Sequence, residues 1–236
     1  MKRLVTHLVL SLGLAASASA ATQLISNGDF EGASLAGWTV NIVGGGFGNG
    51  FYLTPNGAPA PVSGHPTLPN PSGGLFAAVS DQFGPGGEEM RQAFVVAPGT
   101  TSLMLTFDWF NATYSPYAGT AIDGSAQAGR ADILFAGAAP LDTGGGVAMP
   151  LLLNAGVFDA PMPWVSASFD LSALPPGAYE LRFGNGQCCF YQQFGVDNVS
   201  LLALAVPEPA GYLLFGPGLI ALAVYRHRRG RLAPAS

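Results

Sequence analysis

Leu103-Met-Leu-Thr-Phe-Asp-Trp-Phe110 sets Leu103, Leu105, Phe107 and Trp109 at every second position, with Met104, Thr106, Asp108 and Phe110 between them. A period of two belongs to a β-strand, because successive side chains point to opposite faces of a sheet. Similar short apolar runs, punctuated by Gly, Pro, Asn and Asp, recur at Gly37–Val43, Gly50–Thr54, Leu75–Ser80, Met90–Val96, Arg130–Ala136, Val147–Leu153, Trp164–Leu171, Ala178–Phe183, Cys189–Phe194 and Val196–Ala203. Pro175-Pro176-Gly177 is placed to reverse the chain into the run that follows it. No helical period stands out between residues 21 and 206. About ten strands in this length predict an all-β domain, a two-sheet antiparallel sandwich over residues 21–205. Two stretches, Thr54–Gly74 and Tyr114–Gly129, read as long loops, and loops of that length in a compact domain are commonly functional.

Composition agrees with strands. Of 236 residues, 33 are Gly and 19 are Pro, each unfavourable inside a helix, while 49% are hydrophobic, too many for a disordered chain. Only 10% are charged. Between residues 21 and 206 there are 13 Asp or Glu, three Arg (Arg91, Arg130, Arg182), one His (His65) and no Lys. A body this acidic repels phosphate backbones, so no nucleic-acid partner is expected.

The ends read as addresses. Met1-Lys2-Arg3, the apolar run Leu4–Leu14 and an Ala18-x-Ala20 site form a secretory signal peptide over residues 1–20. At the other end Pro207-Glu208-Pro209 precedes an uncharged segment, 210–225, and the basic cluster Arg226, Arg228 and Arg229. As a helix the uncharged segment would reach about 24 Å, enough to cross a membrane once Tyr212, Tyr225 and the arginines anchor its ends. A basic cluster of this kind stays on the cytoplasmic side.

This order of parts resembles the PEP-CTERM sorting signal of exported proteins of Gram-negative bacteria, over residues 206–236. The resemblance implies an exosortase as processing partner, a transient inner-membrane anchor, and release to the cell surface or the exopolysaccharide matrix of a biofilm. Within the body, Leu24-Ile-Ser-Asn-Gly-Asp-Phe-Glu31 with Gly37-Trp38 resembles the opening strand of jelly-roll carbohydrate-binding modules and galactose-binding-like domains. Phe194-Gly-Val-Asp-Asn-Val-Ser-Leu201 resembles their closing strand. The resemblance implies a jelly roll with its first and last strands side by side. It also implies a structural Ca²⁺, for which Asp29, Glu31 and Asp197 are the carboxylates at matching positions; calcium requires several hard oxygen ligands.

Catalytic chemistry finds little support in the residues. His65 stands alone in a Pro/Gly-rich loop and reads as solvated, and the absence of Lys excludes Schiff-base chemistry. A glycosidase needs two carboxylates across a cleft; Asp108 and Asp132 are the strand-embedded acids available. The expectation is a non-enzymatic surface or matrix protein, with a secreted glycosidase as one alternative and specific sugar binding as another, since aromatic faces pack on sugar rings while amides and carboxylates take the hydroxyls. Trp109, Tyr114 and Tyr117 lie at a strand end and its loop, and Phe190-Tyr191-Gln192-Gln193 forms a second such cluster. Cys188 and Cys189, the only cysteines, are adjacent. A vicinal disulfide is the preferred state if the chain turns there, with interchain bridges or two thiols as alternatives, because alternation along a strand would part the sulfurs.

Overall fold

The computed structural model describes residues 21–205 except 49, 115, 117, 118, 155, 156 and 159–161. The signal peptide, the Pro207-Glu208-Pro209 box, segment 210–225, Arg226, Arg228, Arg229 and Tyr117 lie outside the described residues. Ala21–Ala205 is one compact unit.

Among the described residues twelve strands are formed: β1 (Thr22–Gln23), β2 (Thr39–Gly44), β3 (Phe51–Pro55), β4 (Phe76–Gln82), β5 (Gly86–Val96), β6 (Thr100–Thr113), β7 (Ala128–Phe135), β8 (Val147–Asn154), β9 (Val157–Phe158), β10 (Val165–Asp170), β11 (Gly177–Gln187) and β12 (Gln192–Ala205). One sheet has the order β10-β6-β12-β4-β3, with β1 on β12 and β9 on β6; the other runs β2-β5-β11-β7-β8. Every pairing is antiparallel except the short one between β6 and β9. This is the two-sheet, all-β architecture that the alternation predicts. Two boundaries differ. The runs at Cys189–Phe194 and Val196–Ala203 are not separate strands: Gly195 stays in register with Phe110 and Val79, so β12 is continuous, and the chain instead bends over residues 188–190. β5 begins at Gly86 rather than at Met90, because Gly86-Gly87-Glu88-Glu89 shows no apolar alternation yet pairs residue by residue with the end of β11.

The alternation in β6 decides the core. Leu103, Leu105, Phe107 and Trp109 turn inward, where they meet Ile133, Leu181 and Phe183 of the second sheet. The Phe107 and Phe183 rings meet edge to face at 5.0 Å.

The opening and closing segments lie side by side. β1 pairs with β12, Leu24 N–H donates to Leu201 O at 2.8 Å, and Val199 N–H donates to Gly28 O at 2.9 Å. Gly28 is required here, because a Cβ at that position would stand 2.0 Å from the Val199 carbonyl oxygen. Gly28→Ala is therefore expected to part the two segments and lower stability by about 2–3 kcal/mol. Urea unfolding checks this, and hydrogen exchange should rise first at the amides of Leu24 and Val199.

Both outer faces carry buried charge and are roofed by loops. Residues 56–75 cover the first sheet and 136–146 cover the second, satisfying polar groups that would otherwise be stranded.

Candidate functional site

At one end of the sandwich the turn from β11 to β12 meets the end of β4, the end of β6 and the loop over the first sheet. Asp81, buried on β4, accepts from Val62 N–H, Ser63 N–H and Ser63 Oγ at 2.7, 2.7 and 3.0 Å. Those bonds fix the loop that carries His65. Its imidazole lies flat on Tyr114, with ring centres 3.8 Å apart and planes 11° from parallel. His65 also meets Tyr191 edge-on at 5.6 Å. Tyr191 packs against Phe83 at 4.9 Å, and Phe83 against Phe190 at 6.5 Å. The result is a continuous row of five rings. At its outer end Phe190 is 50% exposed and Phe47, bridged to Phe83 through the backbone, is 76% exposed. Cys188 and Cys189, joined through their sulfurs, lie in the bend just before Phe190.

Beneath the rings the interior turns polar. Continuing the inward period of β6 past Trp109 reaches Asn111, and the neighbouring strands contribute Ser80, Gln82, Glu88, Asn185, Gln187 and Gln192, all buried. Asn185 Nδ2 crosses between sheets to Ser80 Oγ, and donates to Glu88 Oε1 at 3.2 Å. Burial pushes the Glu88 carboxyl up to about 7, against hydrogen bonds from Ser80, Asn185, Gln187 and the Gly50 amide that favour its ionised form.

On the outer face of the first sheet, Asp108 and Asp197 stand opposite each other across β6 and β12. Asn70 Nδ2, from the roofing loop, donates to both, at 3.2 and 3.0 Å. Asp108 also accepts from Ser166 Oγ at 2.5 Å and Asn198 Nδ2 at 2.9 Å. Burial would raise Asp108, but these hydrogen bonds outweigh it and hold the carboxyl below its ordinary range. Asp197 goes the other way: burial, with the neighbouring charges of Asp108 and Glu31, pushes it up to about 6. On the second sheet's outer face, Asp132 is gripped bidentately by Arg130 (2.6 and 2.6 Å), and its Oδ2 accepts twice more from Arg182 (3.1 and 2.6 Å).

The residues singled out from the sequence separate accordingly. Asp29 is exposed beside a groove of about 350 Å³ lined with Asn27, Asn198 and Ser200. Glu31 accepts from the amides of Leu75 and Phe76 at 2.7 and 3.2 Å, and Asp197 from Asn70 and its neighbour's amide. Both amides reach Oε1 of Glu31, whereas Asp197 accepts on each of its oxygens. Among the described residues no group of three His, Cys, Asp or Glu side chains is arranged to hold a metal ion. Trp109 requires a correction: it is 7% exposed and packs on Phe194 in the core, where the alternation of β6 sends it, so its ring is not offered to a ligand. His65 is likewise not a free solvated side chain but part of the aromatic row. Phe83, Gln82, Asn185 and Gln187 escaped the sequence reading, which places Gln192 and Gln193 in a sugar-binding cluster; both are buried. The signal for the amides was the two-residue period continued to Asn111.

No protein-family model and no curated protein matches this chain. Among solved structures, the carbohydrate-binding module TmCBM61 in complex with β-1,4-galactotriose is 12% identical, covers 76% of this chain and 97% of its own, and has a TM-score of 0.46. The Stig cyclase Fisc from Fischerella sp. TAU is 16% identical over 80% of this chain and 100% of its own, with a TM-score of 0.47. The enzymatically active domain of tailspike protein 4 from bacteriophage CBA120 is 14% identical over 76% of this chain, with a TM-score of 0.46; this chain spans only 21% of that one. Likenesses this distant assign no function.

Proposed function

We propose that this protein is an exported, non-catalytic glycan-binding protein, routed by its Pro207-Glu208-Pro209 tail to an exosortase and set to work on polysaccharide at the cell surface. The observation that carries the binding reading is the row of rings from Tyr114 through His65, Tyr191 and Phe83 to the half-exposed Phe190. Exposed ring faces are poor neighbours for water and good ones for the C–H faces of sugars, and Phe47 extends the same surface. Binding is favoured over hydrolysis because Asp132 is occupied by two arginines, while Asp108 is filled by Ser166, Asn198 and Asn70.

Titration of the purified protein against the polysaccharide made by its own host is the direct test, with a glycan array to define selectivity. Phe190→Ala, at an exposed position, should weaken binding at least about tenfold while leaving the circular dichroism spectrum unchanged. Absence of any selective glycan signal, or undiminished affinity in Phe190→Ala and Phe47→Ala, would refute the binding reading. Routing is tested separately by the mass of the exported protein, which should lack residues 1–20 and end near Pro207–Pro209. Recovery of the intact chain from the cytosol would sink that half of the proposal.

A further inference from the structure

The polar layer beneath the rings has a chemical imbalance. Gln82, Gln127, Asn185, Gln187 and Gln192 are all at most 1% exposed, and the side-chain carbonyl oxygen of each has no hydrogen-bond donor. The orientation of four of these amides is fixed by partners that accept. Gln127 Nε2 donates to the Phe190 carbonyl at 3.2 Å, and Asn185 Nδ2 to Glu88 Oε1 and the Gln192 carbonyl at 3.2 and 3.3 Å. Gln187 Nε2 reaches Glu88 Oε1 at 3.5 Å. Gln192 Nε2 donates to Asn111 Oδ1 at 2.9 Å, and Asn111 is itself fixed because its Nδ2 donates to the Asn154 carbonyl at 2.8 Å. Turning any of these amides over would set oxygen against oxygen, so the unsatisfied atoms are oxygens and not nitrogens.

The layer also holds one carboxylate, Glu88, with no basic partner. Alternation along β5 and β11 sends Glu88 inward, while Arg91 and Arg182 face outward with Glu89 and Asp132. Arg130 is likewise bound to Asp132, His65 lies in the loop over the other sheet, and residues 21–205 contain no Lys.

We propose that this inner end of the sandwich binds an alkali cation, Na⁺ or K⁺, through the amide oxygens of Gln82, Gln127, Asn185, Gln187 and Gln192, with Glu88 as counter-charge. Hard cations take carboxylate and amide oxygens of this kind. A monovalent ion matches the single carboxylate, whereas a divalent ion would leave a net positive charge buried in a medium of low dielectric. The site is separate from Asp29, Glu31 and Asp197 and does not depend on glycan binding.

The experiment compares thermal unfolding of the purified full chain, in mild detergent, in choline chloride, NaCl, KCl and CaCl₂ at equal ionic strength. The midpoint should rise saturably by about 5 °C or more in at least one alkali salt over choline. Glu88→Gln should abolish that increment. Independently of any variant, the ²³Na resonance should broaden on adding the protein and sharpen again on adding excess K⁺ if both ions compete, or remain broad if Na⁺ is preferred. Equal midpoints in choline and both alkali salts with an unbroadened ²³Na line would overturn the proposal. So would a rise in CaCl₂ alone.

Discussion

Replacing Arg182 by Met is expected to lower stability by about 3–5 kcal/mol, which for a domain of this size is a large fraction of the total. Arg182 is completely buried and joins two carboxylates: Nη2 reaches Asp132 at 2.6 Å and Nη1 reaches Glu89 at 3.4 Å. Its Nη1 also donates to the Asp142 carbonyl at 2.6 Å, tying down the loop that roofs the second sheet. Arg91 does the same through the carbonyls of Ala138 and Ala139, at 2.8 and 2.6 Å. All three arginines of the body are thus committed to one outer face, alternating with Glu89, Asp132 and Glu180. Methionine keeps much of the volume but leaves Arg91 and Arg130 alone to balance Glu89, Asp132 and Glu180, one negative charge in excess. Glu180, at the rim, provides the contrast: its side chain is 24% exposed, and Glu180→Ala should cost no more than about 1 kcal/mol. Denaturant unfolding of both variants checks the pair. A loss below about 1 kcal/mol in Arg182→Met would show that the network contributes little beyond filling space. Because the pairs are buried, moderate salt should change this difference hardly at all.

Stability should peak on the acid side of neutrality, near about pH 4–5, in a buffer free of alkali and alkaline-earth salts. Glu88 and Asp197 have folded-state values of about 7 and about 6, raised by burial from 4.5 and 3.8. The fold therefore favours their protonated forms. No penalty exists below their unfolded values, and it grows as pH rises until it is complete above the folded ones. For Glu88 alone the full penalty is about 3 kcal/mol as an upper figure. Asp108 and Asp142 act in the opposite sense. Asp108 is held low by side-chain donors that outweigh its burial, and Asp142 by the amides of Gly144 and Gly146. Their contribution is present above about pH 4 and is lost as pH falls through their depressed values. Unfolding free energies from pH 3 to 8 check the result. A curve that rises steadily to pH 8 would contradict the burial of both raised carboxyls, and Glu88→Gln should flatten the limb above pH 5.

The two effects share an origin that also separates what was legible from what was not. The inward set Leu103, Leu105, Phe107 and Trp109 announced a half-buried strand, and that same period puts Trp109 in the core, against the expectation that its ring meets a sugar. Extending it by one step to Asn111 would have flagged the polar layer. Nothing in the local pattern sets Glu88 and Glu89 apart, yet both are fully buried, one facing amides between the sheets and the other facing arginines outside them. Asp29, Glu31 and Asp197 sit on segments that do adjoin, but donors from distant loops, Leu75 and Phe76 on Oε1 of Glu31 and Asn70 on Asp197, were not legible in the sequence. His65 shows the same limit: 49 residues from Tyr114 in the chain, it stacks on that ring at 3.8 Å.

Alternation, turn residues and scarcity of charge were enough for the sequence alone to determine a β-sandwich, its main strands and the location of its long loops, since these depend on spacing between near neighbours. Only the tertiary structure decided which acids are paired, which amides are left without donors, and which aromatics join in a row. Those outcomes depend on register between strands far apart in the chain and on which loop folds over which face. A shift of one residue in that register would turn Glu88 outward and Glu89 inward while leaving every local pattern unchanged.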